Sequence, residues 1–346
     1  MDSSYIFNQF GSRIAQFAQP ILKRPVSGRF FLYKYCLNCG IITRKGGIVC
    51  KFIKSWFVKS KPRRNGVSVR DFYNASAEKE FYRTIKSPHN LLEFQTTEHF
   101  YKKYLKPGMK VLDAGGGPGR YTIDLAKKGA YVTLLDISDK ELEVAKRKIK
   151  KYRVGKFVDS VDLGSITDLP YADNSFDMVL CTGGPVSHLR TVPERKKAIK
   201  ELLRVAKPGA CIFISVMALP AVLNLCVKDF KRYIKSYGYK NEQEFWKEQN
   251  ILISSGDDNW FVGCSYAHFF WPSEFKDLVT KTVKNTELLH MVALEWSSQN
   301  VHKEFDEIAA NKKHYKKWMD LHYMVCEHPD MLSLSAHIMA VVRKKK

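Results

Sequence analysis

An aspartate followed by closely spaced glycines is the first place in this chain where residue types and spacing could hold a ligand. Asp113 precedes Gly115, Gly117 and Gly119. Such glycines let the backbone approach a bound molecule without a Cβ in the way, and they permit positive φ. The apolar pair Val111-Leu112 leads in, and an amphipathic run with Ile123, Leu125 and Ala126 follows. Strand, tight loop and helix is the natural order, and the helix start would offer unpaired N–H groups. Spacing narrows the ligand. A dinucleotide fingerprint sets its third glycine three residues after the second, and a phosphate-cradling loop ends in Gly-Lys-Ser/Thr. Neither pattern occurs at 113–122. Asp136 closes the apolar run Tyr131–Leu135, 23 residues beyond Asp113. There an α/β nucleotide-type site places a carboxylate that accepts both hydroxyls of a ribose. The same side chain could instead cap the next helix together with Ser138.

Acid–base chemistry has three candidates. His188 ends a second glycine-bearing stretch, Thr182-Gly183-Gly184-Pro185-Val186-Ser187-His188. A pKa near neutrality suits a general base, although a histidine at a helix start also serves by bonding backbone. Tyr266 and His268, in an aromatic segment, are the other two. Cys36 and Cys39, with Cys50 downstream, have the look of a zinc site, but a closed site needs four ligands and no histidine precedes His89. No metal is expected. The eight cysteines are scattered, which fits reduced thiols in a cytosolic compartment.

These residues need elements to position them. Lys106-Pro107-Gly108 turns into a strand at Lys110–Asp113, a helix spans Tyr121–Lys128 and stops at Gly129, and Tyr131–Asp136 is a second strand. A helix over Lys140–Lys151 and a strand at Val158–Val161 follow. A fourth strand ends at Cys181, a helix covers Pro193–Val205, and a fifth strand covers Cys211–Val216. Upstream, a helix over Leu91–Tyr104 is expected. Downstream, Ser273 is the expected N-cap of a helix over Glu274–Thr282. Thr286–Leu294 and His337–Val342 are read as a closing antiparallel pair. Between them and the fifth strand lies an insertion, about 217–275, rich in aromatics such as Tyr239, Phe245 and Phe269. It could line a pocket for a flat or apolar substrate, or pack a small cap.

The D-x-G-x-G-x-G run at 113–119, the acid at 136, the Leu169-Pro170 to Ser175-Phe176-Asp177 segment and the Lys207-Pro208-Gly209 turn occur in one order. Together they resemble the motifs of class I, Rossmann-like S-adenosylmethionine (SAM)-dependent methyltransferases of type 11/25. The resemblance implies an α/β fold: a doubly wound, mostly parallel seven-stranded sheet with an antiparallel closing strand, helices on both faces and a cap insertion. It implies an aromatic entry helix over 71–83 that folds over SAM, and SAM as cofactor, held by Asp113, Gly115, Gly117, Gly119, Asp136, Ile137, Ser165, Ile166 and Cys181. Ser165 stands where the family usually has an acid for the adenine amino group. The loop from Thr182 is then expected to line the methyl-transfer pocket, with His188, Tyr266 and His268 as catalytic candidates. The implied activity is in-line methyl transfer to a small-molecule acceptor. Absence of an Asn/Asp-Pro-Pro-Tyr/Phe tetrapeptide after the fourth strand speaks against amino-directed nucleic-acid or glutamine methylation. Two alternatives stay open: an RNA or protein methyltransferase that recruits its polymer through a basic arm, and a non-catalytic SAM-fold subunit.

That arm is residues 1–70, ahead of a methyltransferase domain at 71–346. It holds 14 of the 57 Lys and Arg but one of the 35 acids, so it carries more than half of the net charge of +22. Such a segment is compatible with nucleic acid, an anionic membrane surface or an acidic protein. Val49, Phe52, Ile53, Trp56 and Phe57 have helical spacing, either for docking or for lying on a membrane, and 61–66 reads as a linker. The uncharged run from Pro208 to Val227 divides into a β-branched half and a half broken by Pro220, which suits a strand and a short helix better than a membrane span. A cytoplasmic location is expected.

Overall fold

Apolar residues of the central strands alternate between two buried clusters. Leu112, Val179 and Ile212 belong to one, and Val111, Met178, Leu180 and Phe213 to the other. Period-two alternation with both sets apolar is the mark of a sheet covered on both faces. The computed structural model describes residues 42–44, 47–49, 67–228, 239, 241–261, 265–296 and 301–346. The chain divides after Lys59. Of the N-terminal unit, the described part is an antiparallel hairpin of β1 (Ile42–Arg44) and β2 (Gly47–Val49). Val49, expected to open a helix, ends a strand. Cys36, Cys39, Cys50, the rest of the run to Phe57 and the 61–66 linker lie outside the described residues.

In the second unit the strands are β3 (Lys110–Ala114), β4 (Tyr131–Asp136), β5 (Val158–Leu163), β6 (Phe176–Cys181), β7 (Ala206–Met217), β8 (Asp257–Phe261), β9 (Ser265–His268), β10 (Thr286–Ala293) and β11 (His337–Lys344). Seven of them form one sheet in the order β10-β11-β7-β6-β3-β4-β5. β11 runs antiparallel to both neighbours and the β7-to-β5 side is parallel. The chain winds outward from β3 to β5 and then returns to β6, on the other side of β3. The crevice beyond the C-terminal ends of β3 and β6 is therefore the switch point, where open α/β sheets bind ligands.

Helices are α1 (Val69–Arg83), α2 (Pro88–Tyr101), α3 (Arg120–Lys127), α4 (Asp139–Tyr152), α5 (Val192–Val205), α6 (Leu219–Lys228), α7 (Glu242–Ser255), α8 (Pro272–Lys281), α9 (His302–Ala310), α10 (Lys312–Val325) and α11 (Pro329–Leu332). Three departures from the sequence expectation have local causes. α8 begins at Pro272, whose fixed φ suits the first helical position, so the cap falls on Trp271, which offers no side-chain acceptor, and Ser273 lies inside the first turn. β7 starts at Ala206 instead of Cys211, and the Lys207-Pro208-Gly209 turn survives as a break in register between Phe176–Ala206 and Met178–Cys211. The helices α9 to α11, between β10 and β11, were not anticipated from the pattern.

The insertion after β7 has its own small core. Met217, Leu219, Tyr239, Phe245, Leu252 and Phe269 pack together there. Tyr239, Phe245 and Phe269 thus serve packing in this cap. The uncharged run 208–227 is split between β7 and α6, and among the described residues no helix is long and apolar enough to cross a membrane.

Candidate functional site

A cavity of about 980 Å³, counting its open mouth, occupies the switch-point crevice. Its walls are the glycine loop after β3, the end of β4, the Gly164–Ile166 loop, the loop after β6 and one side of α1.

The two glycine loops touch. Gly115 sits at φ +74°, and a Cβ built on it would lie 2.6 Å from Cγ of Pro185, so only glycine allows this approach. Gly116, which the spacing rule passes over, is equally constrained. A Cβ there would come within 2.5 Å of both Oδ2 of Asp113 and Cδ1 of Leu134. Asp113 itself stands behind the loop and does not line the cavity. It is fully buried, and the Thr122 hydroxyl donates to its Oδ2 over 2.6 Å, tying the loop to α3. Burial pushes its carboxyl up to about 6, against the Thr122 hydrogen bonds. Gly119 also stays off the wall: it is the left-handed cap of α3, packed on Ala145. Cys181 is buried in β6, and its neighbour Thr182 reaches the cavity.

Gly115, Gly117, Asp136, Ile137, Ser165, Ile166 and His188 do line it. Asp136 joins two loops: its Oδ2 accepts from the Gly117 N–H (2.9 Å) and its Oδ1 from the Ser138 N–H (2.8 Å). The helix-cap and the ligand-facing readings of Asp136 therefore coexist. Burial raises its pKa, opposed by those backbone bonds. Ser165 turns its own loop, its hydroxyl 2.8 Å from that of Thr167 and accepting from the Thr167 N–H.

α1 covers the cavity and is fastened to the start of α4. Asn74 accepts from the Ser138 hydroxyl, and Arg70 and Asn74 both donate to Asp139. This fastening brings Tyr73, Glu80 and Arg83 to the wall. The Tyr73 hydroxyl lies 2.8 Å from Nε2 of His188, whose Nδ1 lies 2.9 Å from the backbone carbonyl of Tyr266. A carbonyl can only accept, so Nδ1 carries the proton and Nε2 accepts from Tyr73. Burial lowers the His188 pKa, outweighing the bond to Tyr266, and keeps the ring neutral near pH 7.

Tyr266 and His268 do not line the cavity. The Tyr266 hydroxyl donates to Oδ1 of Asp257 (2.7 Å), and His268 is held between Asp257 (2.7 Å) and Glu274 (2.8 Å). Both ring nitrogens face carboxylates, so this histidine is an ion-pair partner that fixes the cap. Burial alone would depress its pKa, but the bonds to Asp257 and Glu274 raise it.

Sequence reasoning did not single out Tyr73, Glu80, Arg83, Glu141 or Thr182 as site residues. An aromatic helix ahead of the glycine loop was the one signal for Tyr73. Arg83 carries no signal, since its pairing with Glu93 is set by the packing of α1 against α2. Glu141 reads as an ordinary acid in a helix's first turn.

A family model described as a methyltransferase domain matches residues 111–209. A demethylmenaquinone methyltransferase of Clavibacter sepedonicus is 34% identical over 163 residues, which are 42% of this chain and 63% of that protein. One from Staphylococcus aureus is 33% identical over 184 residues, 49% of this chain and 73% of that protein. The match thus spans roughly two thirds of these relatives. Among solved structures, the cyclase SpnF is similar in fold, with a TM-score of 0.50, 16% identity, and coverage of 80% of this chain and 96% of that one. The chain belongs to the class I SAM-dependent methyltransferases, and its cofactor is SAM.

The cavity fits that cofactor chemically. SAM carries a sulfonium, an ammonium and a carboxylate, and the wall offers Asp136, Glu80 and Glu141 alongside Arg83 and Arg120. Oε1 of Glu141 and the hydroxyl of Thr182 are buried there without hydrogen-bond partners within the protein. Buried polar atoms left so are costly unless something bonds them.

Proposed function

We propose that this chain transfers the methyl group of SAM to a small-molecule acceptor, a hydroxyl- or quinol-bearing ring of the kind named in its demethylmenaquinone methyltransferase relatives. The neutral His188, with Nε2 turned to the cavity side and to Tyr73, carries this reading. SAM supplies an electrophilic methyl on a positively charged sulfur. The chain's own residues do the rest. Asp136 and the glycine loop orient the donor, the closed α1 keeps water out, and the wall between the loops aligns the acceptor. An acceptor hydroxyl that displaces the Tyr73 hydroxyl from Nε2 would pass its proton to His188; the resulting anion bonds the methyl through oxygen or through a ring carbon, which then loses its hydrogen as a proton to restore the ring, and the electron pair of the broken S–CH3 bond stays on sulfur.

The direct test incubates the purified full chain with SAM tritiated in its methyl group and a reduced naphthoquinone lacking the ring methyl, and follows label into the organic extract. Label is expected there with wild type and to fall roughly 100-fold in His188→Ala, the usual scale of general-base loss, with SAM affinity retained. Label appearing only in added RNA or protein would overturn the small-molecule reading.

A further inference from the structure

Glu141 is buried at 3% exposure, lines the cavity, and has no hydrogen-bond partner on Oε1. Its ordinary structural role is closed to it. It sits three residues after Ser138, the spacing of a capping box, in which its carboxylate would reach back to the Ser138 N–H. Ser138 does accept from the Glu141 N–H, but the Ser138 N–H donates to Asp136 instead. Thr191 and Glu194, at the start of α5, complete the same box in full. Displaced from the cap, the Glu141 carboxyl faces the ligand space under Gly117, where a built Cβ would lie 3.0 Å from its Oε2.

Its surroundings are unusual for a carboxylate. Asp136 approaches from the end of β4 and Glu80 from α1, both acidic. Arg83, also on α1, is the cation that opposes them, and it is already paired with Glu80 and Glu93. Arg120, Tyr73, Tyr121 and His188 complete the charged and titratable groups on the cavity walls. Burial first, then Asp136 and Glu80, push the Glu141 carboxyl up to about 10. A neutral acid beside an ionised one is the expected state of two carboxyls sharing a dry site.

Building on the SAM-site reading, we infer that Glu141 is a protonated acid in the empty donor site and releases its proton when the positively charged methyl donor enters, so that the site prefers the charged donor to the neutral product. The charge balance is simple. Methyl transfer breaks the S–CH3 bond, its electron pair stays on sulfur, and the sulfonium becomes a neutral thioether. The carboxylate of Glu141 then faces Asp136 and Glu80 with that compensating charge gone, and takes a proton back from solvent. The product complex thus lacks the charge pairing that held the donor, which favours release of S-adenosylhomocysteine (SAH).

Calorimetry on the full chain tests this. SAM and SAH are titrated at pH 8 in two buffers of different ionisation enthalpy. SAM binding to wild type is expected to release about one proton, and SAH binding far fewer. In Glu141→Gln the release is lost, and the preference for SAM over SAH falls about tenfold, the equivalent of one pKa unit. The same variant is the blank for the amino group common to both ligands. SAM heats independent of buffer in wild type, or a release that persists in the variant, would overturn the proposal. The wild-type comparison stands even if the variant fails to fold. Failure of wild type to bind either nucleoside is a distinct result, which overturns the donor-site reading and the proposal with it.

Discussion

Replacing Gly116 by alanine measures how tightly the glycine loop is built. The added Cβ would lie 2.5 Å from the Asp113 carboxylate and 2.5 Å from Cδ1 of Leu134, against 3.4 Å or more for ordinary contact. Something must move by nearly 1 Å, and neither neighbour yields cheaply. Both are fully buried, and Asp113 is anchored by the Thr122 hydroxyl. Overpacking of this kind costs roughly 1–3 kcal/mol. At about 2–4 °C per kcal/mol for a unit of this size, the melting temperature should fall by roughly 2–12 °C. Displacing the loop also moves Gly115 and Gly117 on the cavity wall, so SAM affinity should drop by at least about tenfold, or 1.4 kcal/mol. Gly108→Ala is the control: its φ of +82° brings left-handed strain of about 1 kcal/mol, but no atom lies within 4 Å of the built Cβ. It should lower stability modestly and leave SAM affinity unchanged. Thermal melts and calorimetry on both variants decide the matter. A Gly116→Ala protein with wild-type melting and wild-type affinity would refute the claim that this loop is sterically locked.

Three further outcomes follow from the same geometry. Asp136→Asn should weaken SAM binding by at least about tenfold and also cost roughly 1–3 kcal/mol of stability, because an amide N–H would replace one oxygen that accepts from Gly117 or Ser138; denaturant unfolding with and without SAM separates the two. His268→Gln should lower the melting temperature more at pH 6 than at pH 9. The raised folded-state pKa of His268 makes its contribution complete below about 6.5 and lost as pH rises through the folded value, so equal losses at both pH values would refute the ion-pair role. Deleting residues 1–59 should leave SAM affinity within about twofold, a change under 0.5 kcal/mol, since every wall residue of the cavity falls between Val69 and Leu189; a truncated chain that folds but no longer binds SAM would place the arm in the donor site.

The loops that wall the cavity were legible because their geometry is imposed by the backbone. A left-handed Gly115, a strand ending in Asp136 and a loop after β6 leave marks in residue type and spacing that a linear reading detects. The doubly wound sheet was legible through the family resemblance that these motifs carry, and alternating strands and helices leave few other topologies. Gly116 was overlooked because its constraint is a contact with Asp113 and Leu134 and not a positive φ. Glu141 was illegible for a subtler cause. The sequence Ser138-x-x-Glu141 matches a capping box, and nothing linear reveals that Asp136 takes the N–H that Glu141 would otherwise bond. Tyr73 and Arg83 became wall residues through the seating of α1 on α4, fixed by Asn74 and Arg70, and such long-range pairings leave no periodic trace. For the aromatic insertion two readings stood open, and Tyr239, Phe245 and Phe269 follow the one in which they pack a cap.

Tyr266 shows why a residue can be near the chemistry without performing it. Its hydroxyl is turned away to Asp257, while its backbone carbonyl receives the Nδ1 proton of His188 and so leaves Nε2 as the acceptor facing Tyr73. Tautomer control therefore belongs to the position of β9 and not to the phenol. Tyr266→Phe should cost roughly 1–3 kcal/mol of stability through the lost bond to a half-buried Asp257, yet keep the pH dependence of methyl transfer, because the carbonyl is untouched. Tyr73→Phe should do the reverse. It removes the donor at Nε2, leaves the cap intact, and exposes His188 to protonation without that bond, so the acid limb of the pH–rate profile shifts upward. Measured side by side, the two variants separate a group that holds the cap from one that meets the reacting proton. A shifted acid limb in Tyr266→Phe with an unshifted one in Tyr73→Phe would reverse the assignment.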